Sequence, residues 1–486
     1  MEPNGHGANA LAAVDVCIVG GGPAGAVIAA RLAQLGADVV LVERSAFPRA
    51  HLGESLSPGV LSLLETIGAR RDVEEGGFVP VRSVLTNWDG TLGERVDAGE
   101  QGLLVDRGRF DELLLRRARA LGVRVLQPAF VSARERRESE WLLSIQAAEA
   151  TTTLRARFLV DATGRSAWLP GKRRRTAPRT LALYAYWRGR SLPDRPRIEA
   201  GSTAWYWGVP LPDGSYNTLV FVDGDSLRDG AYPSVRARFR ALLARSGLME
   251  HCVDAELSGS VHAADATPYL DEESVTSVSL KVGDAALVID PLSSSGVQKA
   301  IQSALAGAIV VNTLLRRPEA ADVAMQFYRE SLSCASHRHC GWAASHYATV
   351  QARTDSPFWT DRASGAVERD EAPTGSLAAR IASNEPIALC PRLEIVSVPR
   401  LGAEYVEVGP ALRHPGLETP VGYLGGWELA PLVHDIRTGM TPLQVVHTWS
   451  PRVPLKSGIA ITGWLLRHGI LVSYPGAPSQ DACPTA

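Results

Sequence analysis

The chain has 486 residues, enough for more than one domain and a large core. Hydrophobic residues make up 45% and charged residues 21%, and the net charge of −2 gives no general attraction to nucleic acid or to an anionic membrane. No apolar run is long enough to span a bilayer, and the opening MEPNGHGANALAA lacks the basic flank and apolar stretch of a secretory signal, so a cytoplasmic location is expected. The cysteines Cys17, Cys252, Cys334, Cys340, Cys390 and Cys483 are scattered and are expected as free thiols in that compartment.

The most informative stretch runs from Val14 to Glu43. An apolar strand, Val14 to Val19, ends in Gly20-Gly21-Gly22-Pro23-Ala24-Gly25; an Ala-rich helix and a second apolar run, Ala37 to Val42, then lead to Glu43. Gly20 permits a tight turn, Gly22 lets backbone approach a pyrophosphate, and Gly25 lets the helix pack close to the sheet. The helix N-terminus offers free N–H groups to phosphate oxygens. Glu43 falls roughly 20 residues on, where a carboxylate can accept from a ribose hydroxyl.

Phe47 to Gly59 reads as a loop from its Pro and Gly content, followed by the helical VLSLLETIG. Val79 to Gly102 alternates like strands. Val105-Asp106-Arg107 and Phe110-Asp111 open a helix, VRVLQPAF reads as a strand, and a polar hairpin leads to a buried strand ending in Asp161-Ala-Thr-Gly164. Residues from about Arg179 to Glu273 suggest a separate antiparallel sheet. A buried strand, Ala285 to Ile289, is expected between Gly283-Asp284 and Asp290-Pro-Leu-Ser-Ser-Ser-Gly296, with a long helix after it. Met325 to Tyr347 reads as helix and Asp355 to Thr374 as a linker or exposed loop. Cys334, His337, His339 and Cys340 lack the spacing of a zinc site, so a helix with mixed faces is the expectation there. The run Lys172 to Arg175 could steer an acidic partner; its default reading is a solvated loop. The tail from Leu389 to Val472 offers short strands and three short helices.

These four Gly- and Asp-bearing motifs, in this order from Val14 to about Leu315, resemble the FAD-binding scaffold of the aromatic hydroxylase, geranylgeranyl reductase and flavin-dependent halogenase superfamily. Past about Leu315 the residues themselves suggest a helical segment and linker (331–385), a small C-terminal α+β, winged-helix-like domain (386–474), and a flexible tail at 475–486, with another at 1–11; the resemblance implies an α/β fold with a Rossmann-like FAD-binding domain (12–78, 103–175 and 276–330) and an inserted antiparallel-sheet substrate domain (79–102 and 176–275). It implies that Gly20, Gly22, Ala24 and Gly25 hold the pyrophosphate and that Glu43, followed by Arg44, takes the adenosine ribose. Arg107 would neutralise phosphate, Asp161 and Gly164 would approach the cofactor, and Asp284 after Gly283 would accept from the ribityl chain. Pro291, Ser294, Ser295, Gly296 and Val297 would lie against the isoalloxazine ring, with Ser55 also in contact.

Gly53-Glu54-Ser55 and Trp205-Tyr-Trp207-Gly-Val-Pro210 resemble halogenase signatures, which makes Trp205, Trp207 and Pro210 candidate substrate-pocket residues. Halogenases of the family carry a lysine ahead of an Asn-Trp pair. This chain has Asn87-Trp88 but no lysine from Met1 to Gly171, and Pro80 and Arg82 stand in that region. Tryptophan halogenases also carry a glutamate where this chain has Ser293. The segment Asp290 to Val297 with Lys299-Ala300 resembles the halogenase-like flavoproteins that hydroxylate a peptidyl tryptophan in tryptophylquinone biogenesis of the quinohemoprotein amine dehydrogenase type. That resemblance implies FAD, O2 as co-substrate acting through a flavin C4a-hydroperoxide, and NAD(P)H or a reduced-flavin donor (a flavin reductase among them) as reductant. The expected partner is a peptide or small protein bearing an aromatic residue, with no nucleic acid and no membrane. His51, Glu54 and Arg82 are the candidate catalytic groups at the flavin's front face. A halogenase, an isoprenoid double-bond reductase, and a non-catalytic flavoprotein that binds partners through its C-terminal unit remain alternatives at this level.

Overall fold

The computed structural model describes residues 13–49, 51–96, 101–137, 140–148, 150–225, 232–252, 254–365 and 384–474. The chain divides into two compact units, Met1–Val367 with Ala403–Tyr405, and Glu368–Gly402 with Val406–Ala486.

The first unit is built on two large sheets. Val14–Val19 lies between Val39–Val42 and the long strand Ala150–Asp161, parallel to both, and Arg124–Leu126 extends the parallel side beyond Val39–Val42. These short β-branched runs are buried on both faces, as a parallel sheet covered by helices requires. Burial also pushes the Cys17 thiol up to about 12, which marks it as an inert core residue. Glu140–Ala147 and Phe130–Arg137 continue the sheet antiparallel, forming the expected polar hairpin. Helices Pro23–Gln34, Arg107–Ala120 and Gly296–Arg316 pack together beside this sheet. The Rossmann-like domain and the additional antiparallel sheets expected from the sequence are therefore present.

Two expectations need correction. Ala285 to Ile289 does not rejoin the parallel sheet as a full strand. Gly283–Ala285 is a single 3-10 turn entered at positive φ, and only Leu287–Val288 is extended, paired antiparallel with Tyr269–Asp271. Ser279–Lys281 instead supplies the parallel neighbour of Leu159–Asp161. The segment read as a linker contains a helix, Pro357–Ala363, because Pro357 starts it and Phe358 and Trp359 are drawn into the core. Residues 366–374 of that segment, and both expected tails, lie outside the described residues.

The second sheet runs in the order Glu256–Asp265, Thr180–Arg188, Tyr216–Asp223, Trp205–Pro210, Arg197–Ala200, Ser83–Asn87, Leu92–Val96. One face packs Leu183, Trp187, Tyr206, Tyr216 and Val220 against Phe239 of the helix Val235–Leu243. The other buries Ala182, Trp205 and Phe221 against Tyr347 of the helix Ala321–Gln351 and Trp359. Cys334, His337, His339 and Cys340 lie along that long helix, and no group of three metal-binding side chains gathers among the described residues.

The second unit contains a hairpin, Glu394–Leu401 with Val406–Arg413, and three helices, Leu429–His434, Pro442–Trp449 and Leu455–Arg467, around a core centred on Trp449 and Leu465. Thr441 and Gln444 form a reciprocal cap on the middle helix. No helix among the described residues is long and apolar enough to cross a membrane.

His251 sits edge-on to Tyr216, with ring centroids 5.0 Å apart. Burial, with help from the Arg197 charge, lowers its pKa from 6.5 to about 4. The unfolded chain therefore binds this proton more readily, and the site contributes stability above pH 6.5 that is lost as the pH falls toward 4. Urea titrations across that window should show the loss, and His251→Phe should reduce its slope; an unchanged slope would contradict the assignment.

Candidate active site: a cofactor cradle and its front face

The cradle begins where Val14–Val19 ends. Gly20 has φ +108°, and a β-carbon there would collide with the Ala162 carbonyl. A β-carbon on Gly25 would collide with the Gly20 carbonyl. Gly22 precedes the helix Pro23–Gln34 without a side-chain cap, so the first N–H groups of Ala24 and Gly25 are open to an anion.

Glu43 closes the far side of the turn. Its Oε2 accepts from Gly21 N–H at 2.6 Å and its Oε1 from Ser45 N–H at 2.8 Å. Both oxygens keep a lone pair for hydroxyl donors. Arg44 beside it is exposed.

Arg107 is 6% exposed and its guanidinium is largely committed. Nε and Nη2 pair with Asp111 at 3.2 and 3.3 Å, and Nη1 donates to the Leu52 carbonyl at 2.6 Å. It fixes the loop that carries Gly53 and Glu54. A second arginine, which sequence reading missed, faces Gly22. Arg49 shares Asp111 at 3.6 Å, its Nη2 lies 3.5 Å from where a Gly22 β-carbon would be, and its buried Nε has no partner. Two guanidinium groups over one carboxylate leave net positive charge beside the helix N-terminus, which suits a pyrophosphate. Nothing in the Phe47 to Gly59 loop singles out Arg49 before folding brings Asp111 to it.

Asp161 behaves differently from the expectation of cofactor approach. It accepts from Thr163 N–H and Oγ1 at 3.0 and 2.7 Å and from Leu169 N–H at 2.7 Å, so its carboxylate shapes the turn through Gly164 (φ +68°).

Asp284 stands half-exposed at the turn after Gly283, whose N–H donates to Ser303 Oγ at 2.9 Å. Lys299, buried in the helix Gly296–Arg316, donates to Asp284 at 2.9 Å and to the Leu287 carbonyl. Desolvation acts to raise the Asp284 carboxyl, but the Lys299 ammonium outweighs it and the net pKa is lowered. Asp284 therefore presents a charged acceptor. Pro291 to Val297 folds as a 3-10 turn, a left-handed Ser294 (φ +50°) and the start of the helix. Pro291, Ser294, Ser295 and Val297 are half-buried, and a β-carbon on Gly296 would meet nothing. That open surface at a helix N-terminus fits a flat ring with carbonyl acceptors. Asp290, raised by burial, anchors the turn by accepting from Tyr347 OH at 2.8 Å and Leu292 N–H at 2.9 Å. Ser57 ties the neighbouring loop to the same helix through Gln298 at 2.6 Å, and Ser55–Leu56 is held by pairing with Leu103–Leu104.

Glu54 is the candidate expected at the front face. The carboxylate is buried; Oε1 accepts from Tyr186 OH at 2.8 Å and Asn217 Nδ2 at 3.1 Å, and Oε2 from Gly53 N–H at 3.0 Å. Burial and the Glu54 charge raise the Tyr186 pKa, which keeps that phenol a donor. His51 is exposed and bonds the Leu52 carbonyl through Nδ1 at 2.8 Å; desolvation and the Arg107 charge lower its pKa. Arg82 is exposed between Val79–Pro80 and Ser83–Asn87 and makes no side-chain hydrogen bond or ion pair among the described residues.

On the same sheet face as Tyr186 and Asn217, the pairing register aligns Tyr184, Leu219, Trp207, Ile198 and Thr86 in one half-exposed row. The next row, Ala182, Phe221 and Trp205, is sealed. Trp205 stacks on Phe221 with centroids 3.7 Å apart, and Trp88 packs edge-on against Trp205 and Trp359 at 6.2 and 5.7 Å. Trp205 is thus core, Trp207 is available, and Pro210, an odd number of residues on, points to the opposite face.

Because Arg49 supplies the unpaired donor, Arg49→Ala should weaken FAD binding about tenfold, the scale of a hydrogen bond to a charged group, while leaving the unfolding temperature of the FAD-free protein almost unmoved. Unchanged affinity in a calorimetric titration would remove Arg49 from the site.

Residues 13–177 match the family described as an FAD binding domain. Tryptophan 2-halogenase of Chondromyces crocatus is 32% identical over 371 residues, spanning 71% of this chain and 70% of that protein. Among solved structures, the peptidyl tryptophan dihydroxylase QhpG, essential for tryptophylquinone cofactor biogenesis, superposes with a TM-score of 0.70 at 28% identity, over 94% of this chain and 100% of its own. The flavin-dependent halogenase CmlS has a TM-score of 0.75 at 23% identity over 96% of both chains, a likeness of fold. With the cradle and these likenesses together, the chain belongs to the family of flavin-dependent halogenases and monooxygenases, FAD-binding oxidoreductases that use O2.

Proposed function

We propose that this chain is an FAD-dependent monooxygenase that hydroxylates the indole ring of a tryptophan side chain within a peptide or small protein. Bound FAD, once reduced, supplies the electrons that activate O2 for oxygen transfer to an electron-rich ring. The protein's part is to hold that ring, exclude water and take up the proton released from carbon. Trp207, Leu219 and Tyr184 give the ring an apolar, half-open wall. Glu54, oriented by Tyr186, Asn217 and the Gly53 amide, is the candidate proton acceptor. His51, on the same loop, is a second titratable group whose pKa is lowered.

The observation that carries oxygen transfer over halogen transfer is the state of the lysines. The chain has four; of the three in the first unit, Lys281 and Lys299 are buried in ion pairs and Lys172 lies on the surface, on the strand-edge run far in sequence from the Asn87-Trp88 region. Lys172 pairs with Glu272 at 3.0 Å, Lys281 is buried against Asp271 at 2.7 Å, and Lys299 holds Asp284. Arginine does not replace a free ammonium that must form an adduct or give up a proton, because it stays charged. Halogenation is the second reading, favoured by the 32% identity with a tryptophan 2-halogenase and the half-exposed Trp207.

The test is mass spectrometry. The holoenzyme, a flavin reductase, NADH and O2 are incubated with tryptophan-bearing small proteins encoded beside it, with and without bromide. Addition of one or two oxygen atoms at tryptophan, absent without O2 and insensitive to bromide, is expected. A bromine isotope pattern would establish the second reading, and unaltered tryptophan in every candidate would overturn the first.

A further inference from the structure

Behind the Gly283–Asp284 turn lies a cavity of about 440 Å3 that the cofactor reading does not use. Its walls include Arg165, Arg173, Arg175 and Arg179, against one carboxylate, Asp265, and the ring of Tyr269. The Tyr269 hydroxyl donates to the Asp284 carbonyl at 2.6 Å, so the cavity backs directly onto the cradle. In a chain of net charge −2 this is a local concentration of positive charge.

The run that reads as a solvated loop in sequence is a strand here, Arg173–Arg175, paired with Tyr269–Asp271. It is the edge of a three-stranded sheet, and its outer side pairs with no strand among the described residues. Side chains alternate along it. Arg174 turns away to Glu272 at 3.0 Å, where Lys172 also binds. Arg173 and Arg175 share the face that lines the cavity. Arg165 is held by Asp265 at 3.2 Å and by the Thr267 carbonyl at 2.9 Å. Arg173 donates to the Arg165 carbonyl at 2.8 Å and lies 4.4 Å over the Tyr269 ring. Both guanidinium groups are therefore positioned in advance. Arg175 has no side-chain hydrogen bond or ion pair among the described residues.

We propose that this cavity and edge strand dock an extended acidic segment of the polypeptide substrate, with carboxylates two residues apart. The proposal rests on the reading that the substrate is a peptide and names the feature that selects it. Carboxylates on alternate residues of an extended chain repeat at about 7 Å, the repeat of Arg173 and Arg175 on their own strand. The guanidinium fork matches a carboxylate, and the free edge offers backbone groups to a strand laid beside it. A segment seated there would tether its flanking tryptophan next to the cradle.

The experiment uses FAD-loaded full-length protein and a dye-labelled peptide of alternating Glu and Ala without tryptophan, read by fluorescence anisotropy. Expected is saturable binding, weakened at least tenfold in Arg173→Ala/Arg175→Ala and by added salt, unaltered in Arg174→Ala, and absent when Lys replaces Glu in the peptide. FAD content, equal in all variants, reports folding. Equal weakening by Arg174→Ala, no binding to the wild type, or displacement by inorganic pyrophosphate but not by unlabelled acidic peptide would each overturn it. Acidic-peptide binding without any tryptophan oxidation would retain the docking site and discard hydroxylation; oxidation without such binding would do the reverse.

Discussion

The structure depends on one close approach. Gly20, Gly25 and Ala162 come from the end of a strand, the first turn of a helix and the segment after a strand more than a hundred residues later, and they meet with no room for a β-carbon at either glycine. That contact lets the helix Pro23–Gln34 start directly above the sheet, with its first N–H groups facing outward. Gly283 reinforces it from a third segment: a β-carbon there would stand 2.9 Å from that of Ala24. Backbone packing therefore fixes the distance between the helix N-terminus and the Gly283–Asp284 turn.

Around that frame the charges are arranged before any ligand arrives. Glu43 is held by two backbone amides, Asp111 gathers Arg49 and Arg107, and Asp284 is held ionised by Lys299. Each group that would face the cofactor is oriented by a partner behind it, which lowers the ordering cost of binding. The same economy decides the chemistry we favour. Two of the first unit's three ammonium groups are buried in ion pairs and the third is at the surface, while Glu54 carries an ordered set of donors beside a half-open aromatic row.

Much of the frame was legible in the residue order. Close-packing glycines and an acid at the end of the second strand follow from local rules, and Val14–Val19 and Glu43 stand where those rules put them. The Gly283–Asp284 turn was legible as a site but not as a short turn in a different sheet, because apolar content alone does not choose a strand's partner. Arg49, Lys299, Tyr186 and Asn217 were not legible as site residues, since each gains its role from a side chain distant in sequence. The motif ending in Gly164 marks a close approach of the chain without showing where the Asp161 carboxylate goes, and that carboxylate turns back to Thr163 and Leu169. The Trp205 and Trp207 pair could be divided only once the covering helices sealed one row of the sheet and left the next half-open.

The most direct test of the account is an FAD titration of the apoprotein beside Gly25→Val, followed by flavin fluorescence and by far-ultraviolet circular dichroism. The close approach at Gly25 predicts one FAD per wild-type chain, and a variant that keeps much of its secondary structure but takes up no FAD. Stoichiometric FAD binding by Gly25→Val, or none by the wild type, would contradict it.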